Sequence, residues 1–305
     1  MRFTFRQLEV FLAVARSESV SRAAEELGMS QSSVSGALAD LEQQFGIQLF
    51  DRIGKRLRLN ALGRSLRPRG QALEEQAQEL ETALSSRSNL GPLRIGATLT
   101  IGNYVAMPLV ARFLREHPGA RIELQIANTA EIARKVQNFE IDIGLVEGEL
   151  SESALRVTPW CDDELVVFCA PDHPFCQRPA LGDEDLLSAV WIVREPGSGT
   201  RQAFEHAMRG ILSDLEIRLE LQHTEAIKSA VAAGMGVGCV SRIALRDAVS
   251  LGTLSLCSAP QRDFRRQFYF ALHEEKYLSP AIQSWLLLCS RWPPQTSAPA
   301  ALALP

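Results

Sequence analysis

Three sets of residues in this chain of 305 could do chemistry. The first is Ser30, Gln31, Ser32, Ser33 and Ser35. Short hydroxyls and one amide, with no carboxylate among them, can approach the base edges and phosphates of a duplex without repulsion. The second is Arg52, Lys55, Arg56 and Arg58, cations crowded into one short stretch and suited to the phosphodiester backbone. The third comes in two halves far apart in sequence, Thr98 with Thr100, and Ser198, Gly199 and Thr200. Each half combines hydroxyls with free backbone amides ahead of an expected helix, the donor set that a small oxyanion takes.

Nothing promotes catalysis, and no residue is assigned a catalytic role. Residues 234–239, GMGVGC, follow a helix rather than open one and lack the dinucleotide spacing. The GSGT phrase at 197–200 has no P-loop lysine, and Gly197-Ser198-Gly199 is too short for a nucleophile elbow. An α/β enzyme is therefore the weaker rival reading. The five histidines are scattered and the six cysteines form no C-x-x-C pair. Reduced thiols, no metal and no cofactor are expected. No apolar run approaches the ~20 residues of a membrane span. The N-terminal stretch carries Glu9 within its apolar part, unlike a signal peptide. A cytoplasmic chain without membrane contact is the expectation.

The net charge of −4 looks wrong for a partner of nucleic acid, but its distribution is uneven. Residues 51–70 carry seven basic residues against Asp51, a local balance of +6, which leaves −10 for the rest. A basic strip on an acidic body binds phosphate locally and discourages loose association.

The elements that must position these groups follow from periodicity. Leu8, Phe11, Leu12 and Ala15 form one stripe of a helix over 5–16, with Thr4 as its cap. Residues 21–27 make a second helix ended by Gly28. A third runs from Gln31 to about Gln44 behind Ser30 as N-cap, burying Val34, Ala37, Leu38, Leu41 and Phe45. Ser32, Ser35, Gly36, Ala39 and Gln43 face outward. Residues 47–52 and 57–59 read as a hairpin with Gly54-Lys55 at its tip, one face apolar and one basic. Three helices and a basic wing make a winged helix-turn-helix. A long helix is expected over 61–88. Leu66, Leu73 and Leu80 with Gly70, Ala77 and Leu84 give an a/d seam about three heptads long, read as a dimer interface. Pro68 inside it implies a kink or a helix start.

After the break at 89–92, strands and helices alternate: a strand at 93–97, a loop at 98–103, a helix at 104–116, then strands at 122–127 and 141–146 flanking a helix at 130–138. A second unit of the same class is expected to begin near Pro159-Trp160. This pattern predicts a mostly parallel sheet with helices on both faces, folded as two α/β units with a cleft between them.

Residues 5–52, FRQLEVFLAVARSESVSRAAEELGMSQSSVSGALADLEQQFGIQLFDR, resemble the DNA-binding domain of LysR-type transcriptional regulators, and the order of elements behind them is similar too. The resemblance covers about residues 2–292. It implies a mainly α N-terminal winged helix-turn-helix (1–60), a linker and dimerisation helix (61–89), and an α/β two-lobed effector domain like a periplasmic binding protein. Its lobes would be 90–160 with 267–292, and 161–266, followed by a disordered tail, 293–305. It also implies promoter DNA, self-association as dimer and tetramer, RNA polymerase and a small effector as partners. By resemblance Thr98, Thr100, Glu147 and Thr200 match ligand-contact positions. Glu147 would repel a fully ionised anion and suit a partly protonated one, unless the neighbouring Arg201 offsets its charge. Phrases such as GATLTIGNYVAMP, DIGLVEG and EPGSGTR look like a subgroup that responds to sulfur oxyanions, sulfite in particular. Two departures stand out. Gly36 occupies a position where the family often has Arg. Asn60 replaces the usual Thr after the wing and can still cap the linker helix. The rival within this class is a ligand-binding module that no longer binds DNA.

Overall fold

A capping box opens the molecule. In the computed structural model the Thr4 side chain accepts from the Gln7 amide while the Gln7 side chain accepts from Thr4 N, and α1 (Phe5–Ser17) follows. The structure describes residues 2–53, 56–84, 90–148, 150 and 152–292; the side chains at 52, 53, 56, 79, 82 and 83 are not described. Gly54-Lys55, the end of the linker segment (85–89) and the tail at 293–305 lie outside the described residues.

The chain divides into two compact units, residues 1–91 with 274–281, and 92–273 with 282–305. In the first, α2 (Val20–Leu27) is capped by Ser19, and α3 (Gln31–Phe45) by Ser30. Gly28 between them takes the left-handed backbone that a side chain would strain, φ 61°. Val10, Phe11, Leu12, Val14, Ala23, Ala24, Val34 and Leu38 form their common core. The wing is the antiparallel pair β1 (Phe50–Ile53) and β2 (Arg56–Leu59), in register Phe50 to Leu59. Asn60 closes it: its carboxamide oxygen accepts from Gly63 N and its amide donates to the Gln48 carbonyl. The helix α4 (Ala61–Leu84) is continuous through Pro68, so no helix starts at that residue. The seam on α4 divides. Leu66 and Leu73 pack on the N-terminal core, and a side chain at Gly70 would sit 3.1 Å from Leu8. Leu80 and Leu84, 62% and 76% exposed, are left over. Lys276, in the 274–281 segment, pairs with Glu75 of α4.

In the second unit the elements alternate as the pattern predicts, with two corrections. First, no loop follows β3 (Pro92–Thr98). Helix starts at once with α5 (Leu99–Ile101), continues through a π-type turn at Gly102–Ala106, and ends as α6 (Met107–Glu116). Then come β4 (Arg121–Ala127), α7 (Thr129–Gln137) and β5 (Ile143–Glu147). Second, the chain does not break at Pro159-Trp160, near which the second α/β unit was expected to begin. Both residues lie inside β6 (Leu155–Cys169), a single long strand. The remainder is α8 (Asp183–Ser188), β7 (Val190–Arg194), α9 (Gly199–Ala207), β8 (Glu216–Leu221), α10 (Thr224–Ala232), β9 (Val237–Ser241), α11 (Arg242–Ser250), β10 (Ser255–Cys257), β11 (Arg265–His273) and α12 (Pro280–Cys289).

The strand order is β4-β3-β5-β11-β6-β9-β7-β8, with β10 beside β6. The outer strands are parallel, β4-β3-β5 at one end and β9-β7-β8 at the other. The middle is antiparallel because β11 returns against β5 and β6. Two α/β lobes thus share a two-stranded ribbon, and Trp160 is the residue left unpaired at its bulge. Alternation along β6 sorts the second lobe's core. Leu165, Val167 and Cys169 join Trp191, Val193 and Phe204 on one face. Val166 and Phe168 join Ile192, Ile227 and Val231 on the other.

Candidate functional site

The face of α3 that points away from the core is the one expected. Gln31, Ser32, Ser33, Ser35, Gly36, Ala39 and Gln43 are all exposed. The serines are not equivalent, however. Ser30 Oγ lies 2.9 Å from Ser32 Oγ and 2.8 Å from Ser33 Oγ, and accepts from Ser33 N at 3.1 Å. These three hydroxyls serve the helix cap. Gln31 and Ser35 make no such bond among the described residues. Nothing lies within 4 Å of a Cβ built on Gly36. Arg58 is exposed on the wing opposite Asp51. The side chains of Arg52 and Arg56, and all of Lys55, fall outside the described residues.

In the second unit the two hydroxyl sets come together between the lobes. Thr98 ends β3 and Thr100 lies in the first turn behind it. Glu147 ends β5, and Ser198, Gly199 and Thr200 open α9. The side chains of Thr98, Thr100, Glu147, Ser198 and Thr200 are 1–3% exposed. Thr100 Oγ1 donates to Glu147 Oε1 at 3.2 Å, and Thr200 Oγ1 donates to the same oxygen at 3.3 Å. Ser198 caps α9 by accepting from Thr200 N at 3.2 Å. Gly199 is required by space: a Cβ there would stand 1.8 Å from the Glu147 carbonyl oxygen. Thr129 fastens the same junction, donating to that carbonyl at 2.8 Å and accepting from Gly199 N at 3.1 Å.

The charge of Glu147 is not offset by Arg201. That guanidinium is held by Glu205, Glu220 and the Arg194 carbonyl, at 2.6 to 3.0 Å. The cation at the site is Arg266 of β11. Its Nη2 stands 2.8 Å from Glu147 Oε2, its Nε donates to Asp163 Oδ2 at 2.7 Å, and its Nη1 donates to Thr200 Oγ1 at 3.0 Å. Ser241 completes the set by donating to Asp163 Oδ1 at 2.7 Å. Two carboxylates thus share one guanidinium, all three groups 8% exposed or less. Thr98 Oγ1 is buried with no hydrogen-bond partner among the described residues, which costs about 1–3 kcal/mol. Neither Arg266 nor Asp163 was singled out from the sequence. The signal was available: on β11, Arg266 shares its side with Phe268, Phe270 and Leu272, and on β6, Asp163 shares its side with Leu165 and Val167. A charge placed in the buried register of a strand needs a partner.

A second bond joins the lobes. Tyr104, carried by the π-type turn, donates its hydroxyl to Glu225 of α10, and Lys228 Nζ stands 5.7 Å from the ring centroid. Burial, then the Glu225 carboxylate, pushes the Tyr104 phenol well above its ordinary pKa. Among the described residues no cluster of side chains is arranged to hold a metal ion, and no helix is long and apolar enough to cross a membrane.

Comparison with known proteins places both halves. Residues 5–64 match the family described as bacterial regulatory helix-turn-helix protein, lysR family, and residues 86–293 match the LysR substrate binding domain. The uncharacterised HTH-type transcriptional regulator YeiE of Escherichia coli K12 is 43% identical over 289 residues, 95% of this chain and 98% of that protein. The structure of a full-length OxyR point variant from Pseudomonas aeruginosa matches with a TM-score of 0.73 over 96% of each chain, at 22% identity, a likeness of fold alone. The regulatory domain of Synechocystis CcmR, solved in complex with 2-PG, is 31% identical with a TM-score of 0.61, covering 66% of this chain and 96% of that one.

Proposed function

The chain belongs to the LysR family of transcriptional regulators, and from that premise we propose that it reads promoter DNA with α3 and its wing under the control of a small oxyanion held between the lobes of residues 92–273. The observation that carries the ligand reading is the convergence of Thr100 and Thr200, one from each lobe, on Glu147 beside Arg266. Thr100 and Thr200 spend their single protons on Glu147 Oε1, so a ligand that itself donates to Glu147 would free both, and with the unpartnered Thr98 hydroxyl they would form a donor set for a small, polar, anionic group. The charge balance narrows it further. With Glu147 and Asp163 both against Arg266, a doubly charged anion meets net repulsion, whereas a protonated oxyanion such as hydrogensulfite can donate to Glu147. A sulfite-like effector fits that rule better than sulfate.

The groups that would hold the ligand are almost wholly buried, so the lobes part to admit it and close on it. A ligand that binds the parted and closed forms differently then shifts their populations. Leu80 and Leu84 on α4 are the apolar residues offered to a second copy. A dimer so formed matches two half-sites one helical turn apart, with further pairing to a tetramer and contact to RNA polymerase downstream.

Isothermal calorimetry of the full chain against sulfite, sulfate, thiosulfate and small carboxylates tests the ligand reading. Binding of sulfite more tightly than sulfate is expected, with the preference shifted toward sulfate in Glu147→Gln. Silence with all four overturns it. A gel shift on the gene's own upstream region tests the DNA reading separately. A protein that binds ligand but shifts no fragment specifically would be a sensor that has lost its operator.

A further inference from the structure

Three of the six cysteines meet away from the site just described: Cys169 and Cys176, seven residues apart, and Cys257, 88 residues beyond Cys169. Cys169 ends β6, Cys257 lies on β10 paired alongside it, and Cys176 sits in the short 3₁₀ turn at Pro174–Gln177. Cys169 Sγ lies 3.4 Å from Cys176 Sγ and 3.3 Å from Cys257 Sγ. Each pair would have to close by only about 1.3 Å to reach the roughly 2.0 Å of a disulfide. The three differ in access. Cys176 is exposed, while Cys169 and Cys257 are buried. Burial, then the two neighbouring sulfurs, holds the Cys169 thiol well above the ordinary thiol range. Cys257 lines a groove of about 650 Å³ that runs beside Leu256, Ser258 and Phe264.

We propose that these cysteines form a thiol–disulfide exchange site that takes low-molecular-weight disulfides, with Cys176 as the entry thiol and Cys169 as the resolving thiol. In the first step Cys176 Sγ attacks one sulfur of a disulfide RSSR. Its S–H proton leaves with the departing thiol, so that RSH is released and Cys176–S–S–R is formed. In the second step Cys169 Sγ attacks the Cys176 sulfur. The Cys176–SR bond breaks, the Cys169 proton goes to the second RSH, and the Cys169–Cys176 disulfide closes. Two protein thiols are oxidised by two electrons and one RSSR is reduced to two RSH. Contact at 3.4 Å lets the buried thiol resolve despite its raised pKa, because the attack is intramolecular. The closed bond ties the turn at 174–177 back onto the end of β6. Cys257, equally near Cys169, is the one further sulfur to which that bond can pass.

The test uses the full, reduced chain. It is incubated with glutathione disulfide, quenched in acid, alkylated and mapped by mass spectrometry of peptides kept non-reduced. The expected product is an internal disulfide joining Cys169 to Cys176, or to Cys257 after exchange, with two equivalents of glutathione released and no glutathione retained. In Cys169→Ala the protein should instead hold one glutathione on Cys176. In Cys176→Ala, an exposed and structurally mild change, the rate of oxidation should fall by roughly an order of magnitude, since reactivity follows thiol access. The wild-type product decides the matter even if a variant fails to fold. A stable mixed disulfide on wild-type Cys176, or linkage through Cys161, Cys239 or Cys289, overturns the proposal.

Discussion

Arg266 shows what a single side chain can decide. Among the described residues it is the one cation between Glu147 and Asp163, and it also donates to Thr200. Buried ion pairs are weak evidence of stability while complete, but removing one partner leaves an uncompensated charge and costs about 3–5 kcal/mol. Arg266→Met should therefore lower the urea-derived unfolding free energy by about that amount, while Arg201→Met, whose partners lie at the rim, costs less. Comparable losses in the two would contradict the assigned roles. Gly36 is the opposite case, an exposed mid-helix glycine with open space around it. Gly36→Ala should stabilise the protein by roughly 0.5–1 kcal/mol in the same assay, the usual helix-interior difference. The hydroxyls at 98, 100, 198 and 200 were legible in the sequence as one candidate set because they stand at helix starts. Their counter-charge was not, because 103 residues separate Asp163 from Arg266 and only strand pairing brings them together.

At the scale of elements, α4 divides one seam between two environments, a buried half and an exposed half. Its heptad spacing was plain in the sequence, and spacing alone read the whole seam as an interface between copies. The structure divides it, because α1 presents Leu8, Phe11 and Leu12 to the first half. Helical periodicity reports that a face is apolar and not which surface covers it. The two halves should respond differently to mutation. Leu66→Ala or Leu73→Ala should cost about 1–2 kcal/mol of stability, as expected for half-buried leucines. The pair Leu80→Glu with Leu84→Glu should leave the monomer fold intact and raise the dimer dissociation constant at least tenfold in sedimentation equilibrium. An unchanged dimer would place the interface elsewhere. The strand β6 teaches a related lesson. Pro159 has no ladder donor, yet it lies inside the strand. The bulge at Trp160 accommodates it, so the strand continues where local chemistry suggests a stop.

For the molecule as a whole, the sequence charge map makes a quantitative statement about DNA. The basic strip at 51–70 sits on a chain that is acidic elsewhere, so binding should weaken steeply with salt. Arg58→Gln, removing one exposed wing cation, should reduce the slope of log K against log salt by about 0.9 if it neutralises one phosphate. A slope equal to that of the unaltered protein would remove Arg58 from the interface. The ribbon of β6 and β11 has a mechanical consequence for the other end of the signal. Both lobes share the same two strands, so if they part as proposed, the ribbon would twist like a torsion bar instead of tearing a ladder apart. Amide hydrogen exchange along 155–164 and 265–273 should therefore stay slow with and without effector, while protection changes at 99–106 and 199–207. Fast exchange in the ribbon on adding ligand would mean that the lobes part by breaking strands, and that the bar is a fuse.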